Sequence, residues 1–156
     1  MDLLDNNGQA ALAHVSGEDL TVRLKVVAQS AVQGVAMAII LQTLYGMRVI
    51  TSWTREVDFP VDLSRGHHWY ECRFRRVPLR PGHTIRIDLW MAAHTVLDSV
   101  ENAGVLDIAC SEDTRHLSPN GDQGVVVCDY EWAEVTDPDI GRSGLNGAAA
   151  TGRCVV

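Results

Sequence analysis

The stretch RVPLRPGHTIRIDLWMAAH, residues 76–94, decides the fold. Its first half is a turn built on Pro81-Gly82. Its second half places Ile85, Ile87, Leu89 and Met91 at every other position, the period of a half-buried strand. The opposite side of that strand carries Arg86, Asp88 and Trp90. A large aromatic on the side that alternation assigns to water asks for an explanation, because isolated exposure of an indole is uncommon.

The same period recurs on both sides of this segment. Leu20, Val22, Leu24 and Val26 alternate with Thr21, Arg23 and Lys25, just after the turn cluster Ser16–Asp19. Tyr70, Cys72 and Phe74 alternate with Glu71, Arg73 and Arg75. Residues 35–44 are apolar on both sides, so this strand is expected to be covered on both faces. Tyr45-Gly46 breaks it, and residues 47–53 read as its hairpin partner. Residues 105–109 read as a short strand and residues 125–132 as the last one. Helical periodicity is weak, with one candidate at residues 94–104, where Val96, Val100 and Ala103 fit a turn or two and Gly104 stops it. Many short strands with turns between them predict an all-β antiparallel sandwich or barrel.

The chain has 156 residues, about one domain, and can bury roughly 70% of the surface its unfolded form exposes. Residues 1–135 are read as that domain. From 136 onward, Gly, Ala and Ser dominate, and the stretch is read as a flexible tail unable to offset its ordering entropy. A formal charge of −7 argues against nucleic-acid binding, despite the local density of Arg73, Arg75, Arg76 and Arg80. No apolar run reaches 18 residues, and the start MDLLDNNGQ is not a secretory signal. Cys72, Cys110, Cys128 and Cys154 show no metal spacing and are expected to be free thiols.

Catalytic signatures are missing. There is no GxxxxGK[ST], GxGxxG or GxSxG, so neither a nucleotide cofactor nor a serine nucleophile is indicated. Of the six histidines only His67 and His68 are adjacent, and neighbours on an extended chain point apart, which argues against a metal site. No carboxylate pair stands out for glycoside hydrolysis. The Trp90 face offers a different chemistry. An indole covers the C–H patch of a sugar ring, and Asp88 and Arg86 supply acceptors and forked donors for its hydroxyls. Gln42 and Arg48, on the adjacent hairpin, extend the same surface. The competing reading packs Trp90 under a loop or at a subunit interface, with Arg86 and Asp88 as a cross-strand pair.

Several pieces, in order, resemble a known family. They are LLDNNGQ (3–9), VSGEDLTVRLKVVA (15–28), MRVITSW (47–53), VDLSRGHHWYECRF (61–74), VPLRPGHTIRIDLWM (77–91), LDSVENAGVLDIA (97–109) and QGVVVCDYEW (123–132). This set resembles the C-terminal carbohydrate-binding domain of the ATPase subunit, of Wzt type, of O-antigen polysaccharide ABC transporters. One departure is His83, where the family more often has Tyr. The resemblance implies an immunoglobulin-like β-sandwich and a homodimer whose last strand adds to the partner's sheet. It implies a non-catalytic domain on the cytoplasmic side of the inner membrane. That domain would recognise undecaprenyl-linked O-polysaccharide near its non-reducing end and couple chain completion to export, with the ATPase domain and the membrane subunit as partners. It further implies that the strands at 70–74 and 85–91 lie in opposite sheets, making VPLRPGH a crossover; a hairpin would instead set Arg75 opposite Asp88. The rival expectation is a structural dimerisation module of the same fold with no glycan site.

Overall fold

The computed structural model describes residues 1–112, 124–132 and 150–155. Eleven strands are present among them: β1 (Asp2–Leu4), β2 (Ala13–Val15), β3 (Leu20–Ala28), β4 (Val32–Thr43), β5 (Arg48–Trp53), β6 (Val61–Leu63), β7 (Gly66–Phe74), β8 (Thr84–Ala92), β9 (Val96–Ala109), β10 (Val127–Trp132) and β11 (Ala150–Val155). A single 3-10 turn, Thr54–Val57, follows β5. No helix among the described residues is long and apolar enough to cross a membrane.

The strands form a β-sandwich. One layer has the order β1-β3-β7, and the other β2-β9-β8-β4-β5, with β6 also paired to β4. Pairing is antiparallel except for β2, which runs parallel to β9. The alternation that defined β3 and β8 is what closes the sandwich. Leu20, Val22 and Leu24 from one layer meet Ile39, Leu41, Ile85, Ile87, Leu106 and Ile108 from the other. Val77 and Leu79, in the crossover, cap one end of this core. Each fully buried aliphatic side chain contributes about 1.5–3 kcal/mol, so this layer-to-layer contact is the main source of stability. β7 and β8 do lie in different layers, so residues 75–83 are the crossover and Arg75 does not face Asp88.

The turn expected at 94–104 is not helical. It is the first part of β9, which pairs with β8 along its length. Val96, Val100 and Ala103 have the spacing of a helical stripe, but Val96 and Val100 are exposed and no core lies beneath them. The backbone hydrogen bonds of β8 determine the state of this segment. A Cβ at Gly104 would sit 2.5 Å from Met1 Cε, the end of a flexible side chain that can move aside. Residues 150–155, from the stretch read as a tail, form β11 against β10, with Cys128 opposite Cys154. The remainder of that stretch lies outside the described residues.

His14, on β2, is buried, and its Nε2 has no hydrogen-bond partner among the described residues. Burial lowers its pKa below 6.5, against the opposing pull of Glu18 and Asp19. His83 is lowered in the same direction, by burial and then by the charge of Arg80. A histidine depressed in the folded state is protonated first in the unfolded chain. Its stabilising effect is therefore complete above about pH 6.5 and is lost as pH falls from there toward the folded value. Thermal unfolding at pH 7.5 and 5.5 is expected to show a lower Tm at the acidic value, and His14→Gln to narrow the gap. An unchanged gap would remove His14 as the cause. Asp19, held low by the Arg76 N–H, acts in a separate window, below its ordinary 3.8.

Candidate functional site

The outer face of the larger sheet is built by register. Across β8, β4 and β5, Trp90 pairs with Ala38 and Ala38 with Trp53. Two residues further along, Asp88 pairs with Ile40 and Ile40 with Thr51. In the next row Arg86 pairs with Gln42 and Gln42 with Arg48. Trp90, Asp88, Arg86, Gln42 and Arg48 thus share one face, about 13 Å long from Trp90 to Arg86 at the usual strand rise. This arrangement also explains the doubly apolar β4. Its inward residues fill the core, while Ala38 and Ile40 are covered from outside by the side chains of these rows.

At one end of the face the two indoles meet edge to face, with centroids 5.0 Å apart and planes at 69°. The Arg55 guanidinium lies 4.5 Å over the Trp53 ring. Trp90 is half-buried, neither sealed inside nor standing free. Its indole meets that of Trp53 across the sheet.

At the other end Asp88 gathers donors. Gln42 Nε2 donates to Oδ2, and Arg86 Nη2 donates to the same oxygen at 3.2 Å. The Asn102 N–H donates to Oδ1 at 2.8 Å. Arg86 Nε lies 3.1 Å from Oδ1 but lacks the alignment of a hydrogen bond. Asn102 reaches Asp88 because β9 bulges there. Leu89 pairs with Val100 and Ile87 with Gly104, so three residues oppose Asp88 alone, and Asn102 takes φ 54°. Such a bulge turns a backbone donor out of the ladder and toward a side chain. Nothing in the sequence period announces it.

A carboxylate has about four acceptor positions, and most of those on Asp88 are already used within the protein. Gln42, only 5% exposed, is similarly committed. The guanidiniums are the freer groups: Arg48 is exposed and forms no ion pair among the described residues. Arg55 and Asn102 were not singled out by sequence. Trp53 enters the sequence reading only as the end of the hairpin partner at 47–53, and its pairing partner on β4 is what brings it beside Trp90.

A second concavity lies where the edges of the two layers, β5 and β7, fail to meet. It is a cleft of about 560 Å³ lined by Ile50, Trp53, Phe59, Tyr70, Cys72 and Phe74. Phe59 and Tyr70 meet edge to face at 6.4 Å. The Cys72 thiol lies 3.6 Å from Ser52 Oγ across the cleft, and burial pushes its pKa up. Among the described residues no group of His, Cys, Asp and Glu is placed to hold a metal ion.

No family model matches the chain, and no curated protein sequence matches it. Among solved structures, the crystal structure of the C-terminal domain of Wzt aligns with a TM-score of 0.64 at 17% identity, over 70% of this chain and 71% of that one. This chain has the fold of the Wzt C-terminal domain. A β-glucuronidase of glycoside hydrolase family 2 aligns with a TM-score of 0.45 at 14% identity, over 60% of this chain and 10% of that one. The two indoles and the Arg86–Asp88–Gln42 network occupy the outer face of β8, β4 and β5. The cleft between β5 and β7 shares Thr51 and Trp53 with that face.

Proposed function

We propose that the chain is a non-catalytic glycan-recognition domain. It binds O-antigen polysaccharide linked to its undecaprenyl carrier, near the non-reducing end, and couples chain completion to export by an ABC transporter. The observation that carries this reading is the pairing of Trp90 with Trp53 beside a hydrogen-bonded row of Arg86, Asp88 and Gln42 on one open sheet. A pyranose stacks its C–H face on an indole. Arg48 and Arg86 present forked donors to its hydroxyls, and Asp88 and Gln42 hold those donors in place. The Wzt-like fold and the ordered motifs support the setting: a homodimer that works with an ATPase domain and a membrane subunit at the cytoplasmic face of the inner membrane. Binding at one shallow site is weak, and two copies raise the effective affinity.

The β5–β7 cleft supports a second reading, in which the glycan end enters between the layers. Its volume is in the usual range for ligand sites, and four aromatic side chains line it. One titration separates the two. O-polysaccharide purified from the cognate bacterium is added to wild type, Trp90→Ala and Phe59→Ala. Trp90→Ala is expected to remain folded and lose at least tenfold in affinity, about 1.4 kcal/mol, while Phe59→Ala binds as wild type. The reverse result moves the site into the cleft. Normal binding by both variants rules out both sites, and no binding by wild type leaves a dimerisation module without a glycan site.

A further inference from the structure

The hairpin joining β4 to β5 breaks a rule of turn chemistry. The Thr43 N–H donates to the Met47 carbonyl at 2.9 Å, and the Gly46 N–H to the Thr43 carbonyl at 3.0 Å. Gly46 takes φ +83°, open to glycine without strain. This is the tight three-residue loop in which a left-handed glycine follows the turn. The Met47 N–H also donates to Thr43 Oγ1, so the loop is closed from both sides. Corner positions of such turns ordinarily hold Asp, Asn, Ser or Pro. Here they hold Leu44 and Tyr45, with Met47 at the exit. Tyr45 is 100% exposed, Leu44 57% and Met47 55%. A hydrogen-bonded tip therefore displays three large apolar side chains, each more than half exposed.

The charges around the tip are not those of the whole chain, whose net charge is −7. Arg48 begins β5 directly after the tip and is exposed. Across the cleft β7 runs beside β5, as the Cys72–Ser52 contact establishes. It leads out at this same end into exposed Arg75 and Arg76. Arg73 and Arg75 share one acid, Asp19, at 3.0 and 3.8 Å. Of the other acids described at this end, Asp5 lines a hollow with Asp19 and Arg73, and three sit toward the β2–β9 side. Glu18 is in the β2–β3 turn, Glu112 follows β9, and Asp107 accepts from Thr84 Oγ1.

We propose that this hairpin tip docks the domain onto an anionic lipid bilayer. A convex tip of three side chains cannot supply the roughly 800 Å² per partner of a stable protein interface. It is well formed to enter the headgroup boundary, where about 5–10 Å of insertion suffices. Tyr45 carries an apolar ring and a hydroxyl suited to that boundary. Arg48, Arg75 and Arg76 lie where lipid phosphates would meet them. Docking in this way places the Arg86–Gln42 end of the outer face nearest the membrane and the Trp90–Trp53 end farthest from it.

The test is co-sedimentation of the full chain with vesicles of phosphatidylcholine, alone or mixed with phosphatidylglycerol. The chain is expected to partition onto the mixed vesicles and to lose that binding at about 0.5 M salt, where charges are screened within a few ångströms. The combined variant Leu44→Ser, Tyr45→Ser, Met47→Ser is expected to bind at least tenfold less with an unchanged circular dichroism spectrum. Tyr45→Asp alone, a smaller change to the turn, is expected to reduce binding in the same direction. Arg75→Gln with Arg76→Gln is expected to weaken binding to the anionic vesicles by roughly tenfold. Failure of the full chain to bind the mixed vesicles overturns the proposal, as does equal binding by the tip variants. A tip variant that changes the particle mass in light scattering also overturns it, because the tip would then be a protein contact. These vesicles carry no glycan, so the result is independent of the Trp90 site.

Discussion

Leu41→Ala is expected to destabilise the chain by about 3–5 kcal/mol, a large share of the roughly 5–15 kcal/mol available to a domain of this size. Leu41 is completely buried, on β4 between β8 and β5 in the larger sheet. It pairs with Ile87 on one side and Ile50 on the other, and belongs to the core that joins the two layers. Truncation removes a methine and two methyl carbons and leaves a void that flanking strands, tied by backbone hydrogen bonds, cannot close. Urea unfolding followed by tryptophan fluorescence measures the effect as a lower midpoint with little change in slope. A shift below about 1 kcal/mol would mean that the layers do not meet at Leu41. The comparison that gives the number meaning is Tyr45→Ser, four residues away and fully exposed, where a change within about 0.5 kcal/mol is expected.

That contrast also shows what one strand can reveal through its sequence. Strict alternation in residues 85–91 was enough to separate Ile85 and Ile87 from Arg86, Asp88 and Trp90, because a period of two leaves no choice of face. The hairpin at Tyr45-Gly46 then placed Gln42 and Arg48 beside Arg86, since a short loop sets the register of its strands. The assignment of β7 and β8 to opposite layers came from the family resemblance and not from the local pattern, which allowed a hairpin equally well. β9 was misread because its state depends on a partner strand distant in sequence, while Val96, Val100 and Ala103 mimic a helical spacing. The bulge at Asn102 was invisible for a related reason. It is created by the mismatch between two ladders, and a residue in that position need not be Gly. Arg55 comes to Trp53 through a 3-10 turn that no cap or period marks, as Trp53 at its start makes no side-chain cap bond. The exposure of Tyr45 was hidden because an aromatic next to a glycine reads as the end of a buried run.

Asp88→Ala is expected to destabilise by about 2–4 kcal/mol, more than an exposed ion pair could account for. The Asp88 side chain is 13% exposed and that of Arg86 27%, so the pair is largely removed from water. Removing the carboxylate strands the Arg86 guanidinium, the Gln42 amide and the Asn102 N–H at once. The cost comes mainly from those abandoned donors, not from the net value of the bonds. This makes a second variant decisive. Arg86→Met with Asp88→Leu removes charge and carboxylate together and keeps the volume, so it is expected to recover more than half of the lost stability in urea unfolding. If the single and double variants are equally unstable, the network does not act as a unit and Asp88 packs for some other reason. Glycan titration on the double variant adds the functional half. A stable protein that no longer binds assigns the guanidinium and its carboxylate to ligand capture. A stable protein that binds fully leaves the indole pair and Arg48 as the parts of this face that touch sugar.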